Sequence, residues 1–162
     1  MGARRRAREC ALQILFGLDW TGGDIDDAVE HFWSRFAGER PAAYEDIRLR
    51  STQMVRGVIA QRDKIDDSLQ SCSHNWKLDR MSVVDRNLLR LGAFELLMRE
   101  PRPPRNVVLN EAVEIAKKFG SAESSAFVNG VLHQLAEAHG VKGVDDRKKG
   151  RRRRSGTGGS EA

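Results

Sequence analysis

The sequence predicts an all-α protein built as a single domain of about seven helices. Three observations carry that expectation. Apolar residues recur at spacings of three and four in stretch after stretch, polar clusters rich in Gly or Pro separate the stretches, and strict apolar/polar alternation of the strand type is weak. A chain of 162 residues is one domain's worth and can bury a core without metals or disulfides.

The first helix is expected over about 4–20, with Ala11, Ile14, Leu15 and Leu18 on one stripe, ended by Thr21-Gly22-Gly23. Asp24 suits an N-cap for a second helix to about Phe36, with Asp26 and Asp27 in the dipole-favoured first turn. Gly38-Glu39-Arg40-Pro41 breaks the chain. From about Ala43 to Cys72 the pattern suits two helices meeting near Arg62, with Met54, Val55, Val58, Ile59, Ile65 and Leu69 inward. Residues 73–81 form a polar connection anchored by Trp76. Ser82 then caps the most apolar helix, expected over 83–99 and central because both its faces are apolar. Within it, Glu95 is expected to pair with Arg99 one turn on. Pro101, Pro103 and Pro104 stop that helix and preset entry to the next, 106–119, which Gly120 would close as a C′ residue. Ser121 would cap the last helix, which carries Phe127, Val128, Val131, Leu132 and Leu135. The domain is expected to span 1–140, leaving 141–162 as a disordered arginine-rich tail.

Charge is unevenly placed. Net charge is +5, yet both ends are basic: Arg4, Arg5, Arg6 and Arg8 stand against one acid in the first nine residues, and 145–162 holds seven basic residues against three acids. The segment between is mildly acidic. Such a distribution suits a polyanion at the ends and a basic partner against the body. Two cysteines in no CxxC pattern, no signal peptide and no apolar run of membrane-spanning length point to a reducing, cytoplasmic setting.

No chemistry of catalysis is legible. The four histidines form no metal-ligand spacing, no phosphate-cradling glycine loop is present, and no nucleophile–base pair stands in motif context, so neither enzyme activity nor a cofactor is expected. Two features fit RNA instead. The arginine run 4–8 can chelate phosphates with planar guanidinium forks. The turn Lys117-Lys118-Phe119-Gly120-Ser121-Ala122-Glu123 leads into a helix N-terminus, where free N–H groups favour an anion, and Phe119 either stacks on a base or closes the core stripe of its helix.

Asn110-Glu111-Ala112-Val113-Glu114-Ile115-Ala116-Lys117-Lys118-Phe119-Gly120, continuing at Phe127-Val128-Asn129-Gly130-Val131-Leu132, resembles the C-terminal signature of the NusB family of transcription antitermination proteins. Arg4-Arg5-Arg6-Ala7-Arg8-Glu9-Cys10-Ala11 resembles the family's arginine-rich start, and Asp85-Arg86-Asn87-Leu88-Leu89-Arg90-Leu91 with Glu95-Leu96 its central helix. The resemblance covers about 4–138 in the same order. It implies two three-helix subdomains joined by a connecting helix. It also implies binding, together with the ribosomal small-subunit protein NusE, to the single-stranded boxA element of nascent ribosomal RNA, within an RNA polymerase antitermination complex. It places RNA contacts at Arg4, Arg5, Arg6, Arg8, Lys118, Phe119, Gly120 and Glu123, to which the residue pattern adds Lys117 and Ser121. It places the partner surface at Phe16, Asp79, Asp85 and Arg90, with Phe16 standing where some members carry tyrosine. The alternatives are a NusB-like RNA-binding adaptor of an rRNA-modification or ribosome-assembly system, and a helical protein–protein adaptor. The family resemblance does not extend to the arginine-rich tail.

Overall fold

Asp24 and Ser82 begin their helices as their side chains dictate. The Asp24 carboxylate accepts the Asp27 N–H at 3.4 Å and the Ser82 hydroxyl accepts the Asp85 N–H at 3.1 Å. The computed structural model of the chain describes residues 2–36, 40 and 42–143. Among them lie seven α-helices: α1 (Ala3–Thr21), α2 (Ile25–Trp33), α3 (Tyr44–Ala60), α4 (Arg62–Cys72), α5 (Val83–Leu97), α6 (Arg105–Phe119) and α7 (Ser124–Ala138). Short 3₁₀ turns occupy Ser34–Phe36 and Leu78–Arg80. Gly38, Glu39 and Pro41 of the expected break, and the chain from residue 144 on, lie outside the described residues.

Helices α1, α2 and α3 pack on one another, as do α5, α6 and α7, and α4 passes between the two groups against α5 and α7. The first group is filled by edge-on aromatic rings, with Trp33 4.9 Å from Phe32 and 5.3 Å from Tyr44 between centroids. Helix α5 is the hub. It packs against α1, α3, α4, α6 and α7, and Leu88, Leu89, Leu91, Ala93 and Leu96 are all buried, as its apolar faces require. No helix among the described residues is long and apolar enough to cross a membrane.

Several local expectations are corrected. Trp76 does not anchor the α4–α5 connection: it is 61% exposed, its ring edge-on to Phe127 at 5.7 Å between centroids, and Leu78 is the buried apolar residue there. The tie is polar, since the Gln70 side chain accepts the Leu78 N–H at 3.0 Å and donates to the carbonyls of Ser73 and Trp76. The core continues past residue 140. Val141 is buried, its N–H bonds the Ala136 carbonyl and its own carbonyl accepts from Arg105 at 2.8 Å. Gly120 closes α6 with extended backbone (φ −94°), so left-handed geometry is not its purpose. A Cβ there would meet the Ser124 Oγ at 2.4 Å and the Ala116 carbonyl oxygen at 2.9 Å, so the position requires glycine for space. Ser121 does not cap α7, which starts only at Ser124. The buried Ser124 hydroxyl instead accepts the Ser121 N–H at 2.9 Å, bracing the turn from inside.

Candidate nucleic-acid interface

Successive residues of a helix point about 100° apart, so the arginine run at the start of α1 cannot act as one patch. Arg4 is exposed and Arg6 half-buried, and neither forms an ion pair among the described residues. Arg5 reaches α6, donating to Glu111 from Nε at 2.7 Å and from Nη2 at 3.0 Å. That pairing raises the Arg5 pKa and holds the Glu111 carboxylate below its ordinary range, through the hydrogen bond first and charge second.

Arg8 turns inward. It donates from Nε and Nη2 to the Glu95 carboxylate at 2.8 Å each, with both side chains buried. Arg99, the expected partner of Glu95, reaches it only at 3.4 Å. The expectation that Arg8 stands on an RNA-facing surface is thereby corrected. Its fork is spent on a carboxylate that would otherwise be an unpaired charge in the core.

One turn beyond Arg5, the buried Glu9 accepts from Lys118 at 3.2 and 3.3 Å. Arg5–Glu111 and Glu9–Lys118 are two rungs joining α1 to α6. They bring the arginine-rich start and the α6–α7 turn, more than a hundred residues apart in sequence, to one face. Sequence reading missed Glu9 and Glu111; the spacing of Glu9 four residues after Arg5 was the available signal.

Lys117 sits at the edge of this face, paired with Glu114 at 3.1 Å. Phe119 is half-buried against the core, and the Lys118 ammonium lies 5.4 Å from its ring centre. Ser121 and Glu123 are exposed, the Ser121 hydroxyl donating to the Glu123 carboxylate at 3.3 Å. Glu123 occupies the N-cap position of α7 without a side-chain capping bond. The thiol of Cys10, behind this face, is pushed up to about 11 by burial, which leaves it a protonated packing group.

A shallow groove adjoins the face. Phe16, 40% exposed on α1, lines it together with Phe32, Val84 and Phe119, so Phe119 borders both surfaces. Asp79 is exposed on the 3₁₀ turn before α5, and Asp85 is half-buried with its Oδ1 lacking a hydrogen-bond partner. Arg90 corrects its expectation. It is buried, its Nε and Nη2 bound to Asp66 at 2.8 and 3.0 Å and its Nη1 3.4 Å from Asp19, so it braces α5 to α4 and α1 and is not presented to a partner.

Comparison with known proteins decides the lineage. The family model described as the NusB family matches residues 5–137. The chain belongs to the NusB family. The transcription antitermination protein NusB of Myxococcus xanthus is 50% identical over 138 residues, 85% of this chain and 97% of that one. Its counterpart in Sorangium cellulosum is 47% identical over 138 residues, 85% and 94% of the two chains. Among solved structures, NusB of T. maritima superposes with a TM-score of 0.71 at 33% identity, covering 83% of this chain and 90% of that one. NusB from a complex of the antitermination factors NusB and NusE with double-stranded RNA gives 0.69 at 27% identity, covering 85% and 98%. The arrangement expected of the NusB family, two three-helix groups joined by α4, is the one the helices adopt.

Proposed function

We propose that this NusB-family chain is a cytoplasmic, non-enzymatic transcription antitermination factor. On this reading it binds the single-stranded boxA element of nascent ribosomal RNA together with NusE and joins the RNA polymerase antitermination complex. The observation that carries the reading is the double stitch of α1 to α6. It gathers Arg5, Arg6, Lys117 and Lys118 around the turn from Phe119 through Gly120 and Ser121 to Glu123, with Arg4 on the adjoining flank of α1. The same fold places the Phe16 groove next to this face, with Phe119 shared between them, which suits an RNA and a protein bound side by side. In the complex of relatives the RNA is double-stranded, so boxA RNA offered alone and annealed to its complement tests strand preference. Tighter binding of the single strand, strengthened by NusE, is the expected result; preference for the duplex would overturn the boxA assignment.

Glu123 should act as a brake on this site. Its carboxylate lies at the mouth of α7, where the first-turn N–H groups have no helical partners and would receive a phosphate. Glu123→Asn should therefore tighten RNA binding at a fixed salt concentration with stability nearly unchanged, because asparagine is a favoured N-cap residue and offsets the charge the dipole loses. Unchanged affinity in a folded variant would remove the turn from the RNA site.

The NusE surface is assigned to Phe16, Asp79 and Asp85. Asp79→Lys should weaken NusE binding by about five- to tenfold by reversing a charge met by a basic ribosomal protein, with RNA binding by the isolated chain retained. Calorimetry with NusE and a parallel RNA titration separate the two; equal losses would indicate one shared surface.

A further inference from the structure

A basic concavity adjoins the α1 N-terminus on its α3 side. It encloses about 350 Å³ between α1, α3 and the proline loop leading into α6, and five arginines line it: Arg4, Arg8, Arg50, Arg99 and Arg102. No acid lines it. Glu95 lies beneath, held by Arg8 and Arg99, while Asp46 sits beside Arg50 at 2.9 Å. Glu100, in the same loop, is exposed and outside the lining. Counting all three acids against the five arginines still leaves an excess of two positive charges.

The arginines are held in place. Arg8 forms the buried floor with Nε and Nη2 taken by Glu95, so it contributes charge from beneath and leaves phosphate contact to the other arginines. Arg50 spends only its Nε on Asp46, and its Nη groups make no hydrogen bond among the described residues. Arg102 is tethered through Nη2 to the Leu97 carbonyl at 3.0 Å, so the C-terminus of α5 fixes it. Pro101, Pro103 and Pro104 stiffen the loop, and α6 starts directly after Pro104 with no side-chain cap, adding its positive dipole end at the rim.

Converging guanidinium forks, an uncapped helix start and no lining carboxylate form a receptor for phosphate oxygens. We infer that the cavity binds a phosphate group, supplied by the RNA backbone as it rounds the start of α1. The RNA source rests on the function proposed above and on continuity. Arg4 lines the cavity, and its chain neighbour Arg5 belongs to the first face. The molecule would thus grip RNA on two flanks of one helix, and the cavity would govern binding of sequence flanking boxA and leave boxA itself to the first face.

The test uses the full chain and the double variant Arg50→Gln/Arg102→Gln, whose positions are away from the α1–α6 rungs. Arg102→Gln alone serves if thermal melting shows the double variant less stable. The probes are boxA RNA, the same RNA extended at both ends, and inorganic pyrophosphate. The expected result is a loss of about five- to tenfold in affinity for the extended RNA, with boxA affinity unchanged. The salt slope for the extended RNA should become shallower by about 0.7 for each phosphate released. Pyrophosphate should bind the wild type and fail to bind the variant. Pyrophosphate discrimination without any RNA effect would overturn the RNA source and make a free phosphate compound the ligand. No discrimination by either probe would overturn the site. Pyrophosphate binding by a wild type that binds no RNA would uphold the cavity while removing the proposed function.

Discussion

Glu95→Ala is expected to lower the free energy of unfolding by about 3–5 kcal/mol, because it strands the Arg8 guanidinium in the core without its carboxylate. Arg8→Ala should cost about as much for the mirror-image reason. Replacing both at once, Arg8→Met with Glu95→Leu, should recover most of the loss, since a well-packed apolar pair avoids the desolvation of two charges. Urea unfolding with an unchanged m-value would report these differences as stability. A stable Arg8→Ala protein with weakened RNA binding would instead return Arg8 to the RNA surface.

Asp19 holds the second buried network, and its loss should cost about 3 kcal/mol. Its Oδ2 accepts from Arg86 at 2.8 and 3.0 Å and from Asn87 at 3.0 Å, with Arg90 at 3.4 Å. Asp19→Ala would leave those donors, gathered from one helix, facing an empty site. Burial alone would raise the Asp19 pKa; the hydrogen bonds from Arg86 and Asn87 and the charges of Arg86 and Arg90 outweigh it, and the net shift is downward from 3.8. A depressed carboxylate pKa binds fewer protons folded than unfolded. Its stabilisation is therefore complete above the ordinary value and is lost as pH falls through the lowered one. The wild-type advantage over Asp19→Asn, followed by urea midpoints, should be constant from about pH 7 to 5 and shrink below about pH 4. An advantage that persists undiminished into strong acid would show that the carboxylate charge is not what holds the network.

The helices were legible because their determinants are local. Asp24 and Ser82 state their own capping, the α3–α4 junction at Gln61 falls within a residue of the break expected near Arg62, and the prolines ahead of α6 admit one entry. What failed was set across the fold. Arg8 and Glu95 are 87 residues apart, and nothing near either tells a buried pair from two surface charges. Arg90 presents the same difficulty, its fate decided by Asp66 and Asp19 on other helices. Gly120 and Ser121 carried the ordinary marks of a left-handed C-cap and an N-cap, but a serine hydroxyl three residues on, inside the turn, decided the geometry. Trp76 misled because size suggests burial, while the chain spends its turn on burying Leu78. The gathering of the two basic segments could not be read from either alone. It depends on Glu9 and Glu111, which as sequence are two unremarkable acids in amphipathic helices.

The central claim is that the α1–α6 face binds RNA through its cations. Affinity for boxA RNA measured against salt concentration tests it most directly. If Arg5, Arg6, Lys117 and Lys118 each neutralise one phosphate of a single strand, the slope of log affinity against log salt should be about −3. Arg6→Gln, at a position that forms no ion pair among the described residues, should bring it toward about −2.1 with thermal stability little changed. A slope near zero in the wild type, or an unaltered slope in that folded variant, would contradict the account.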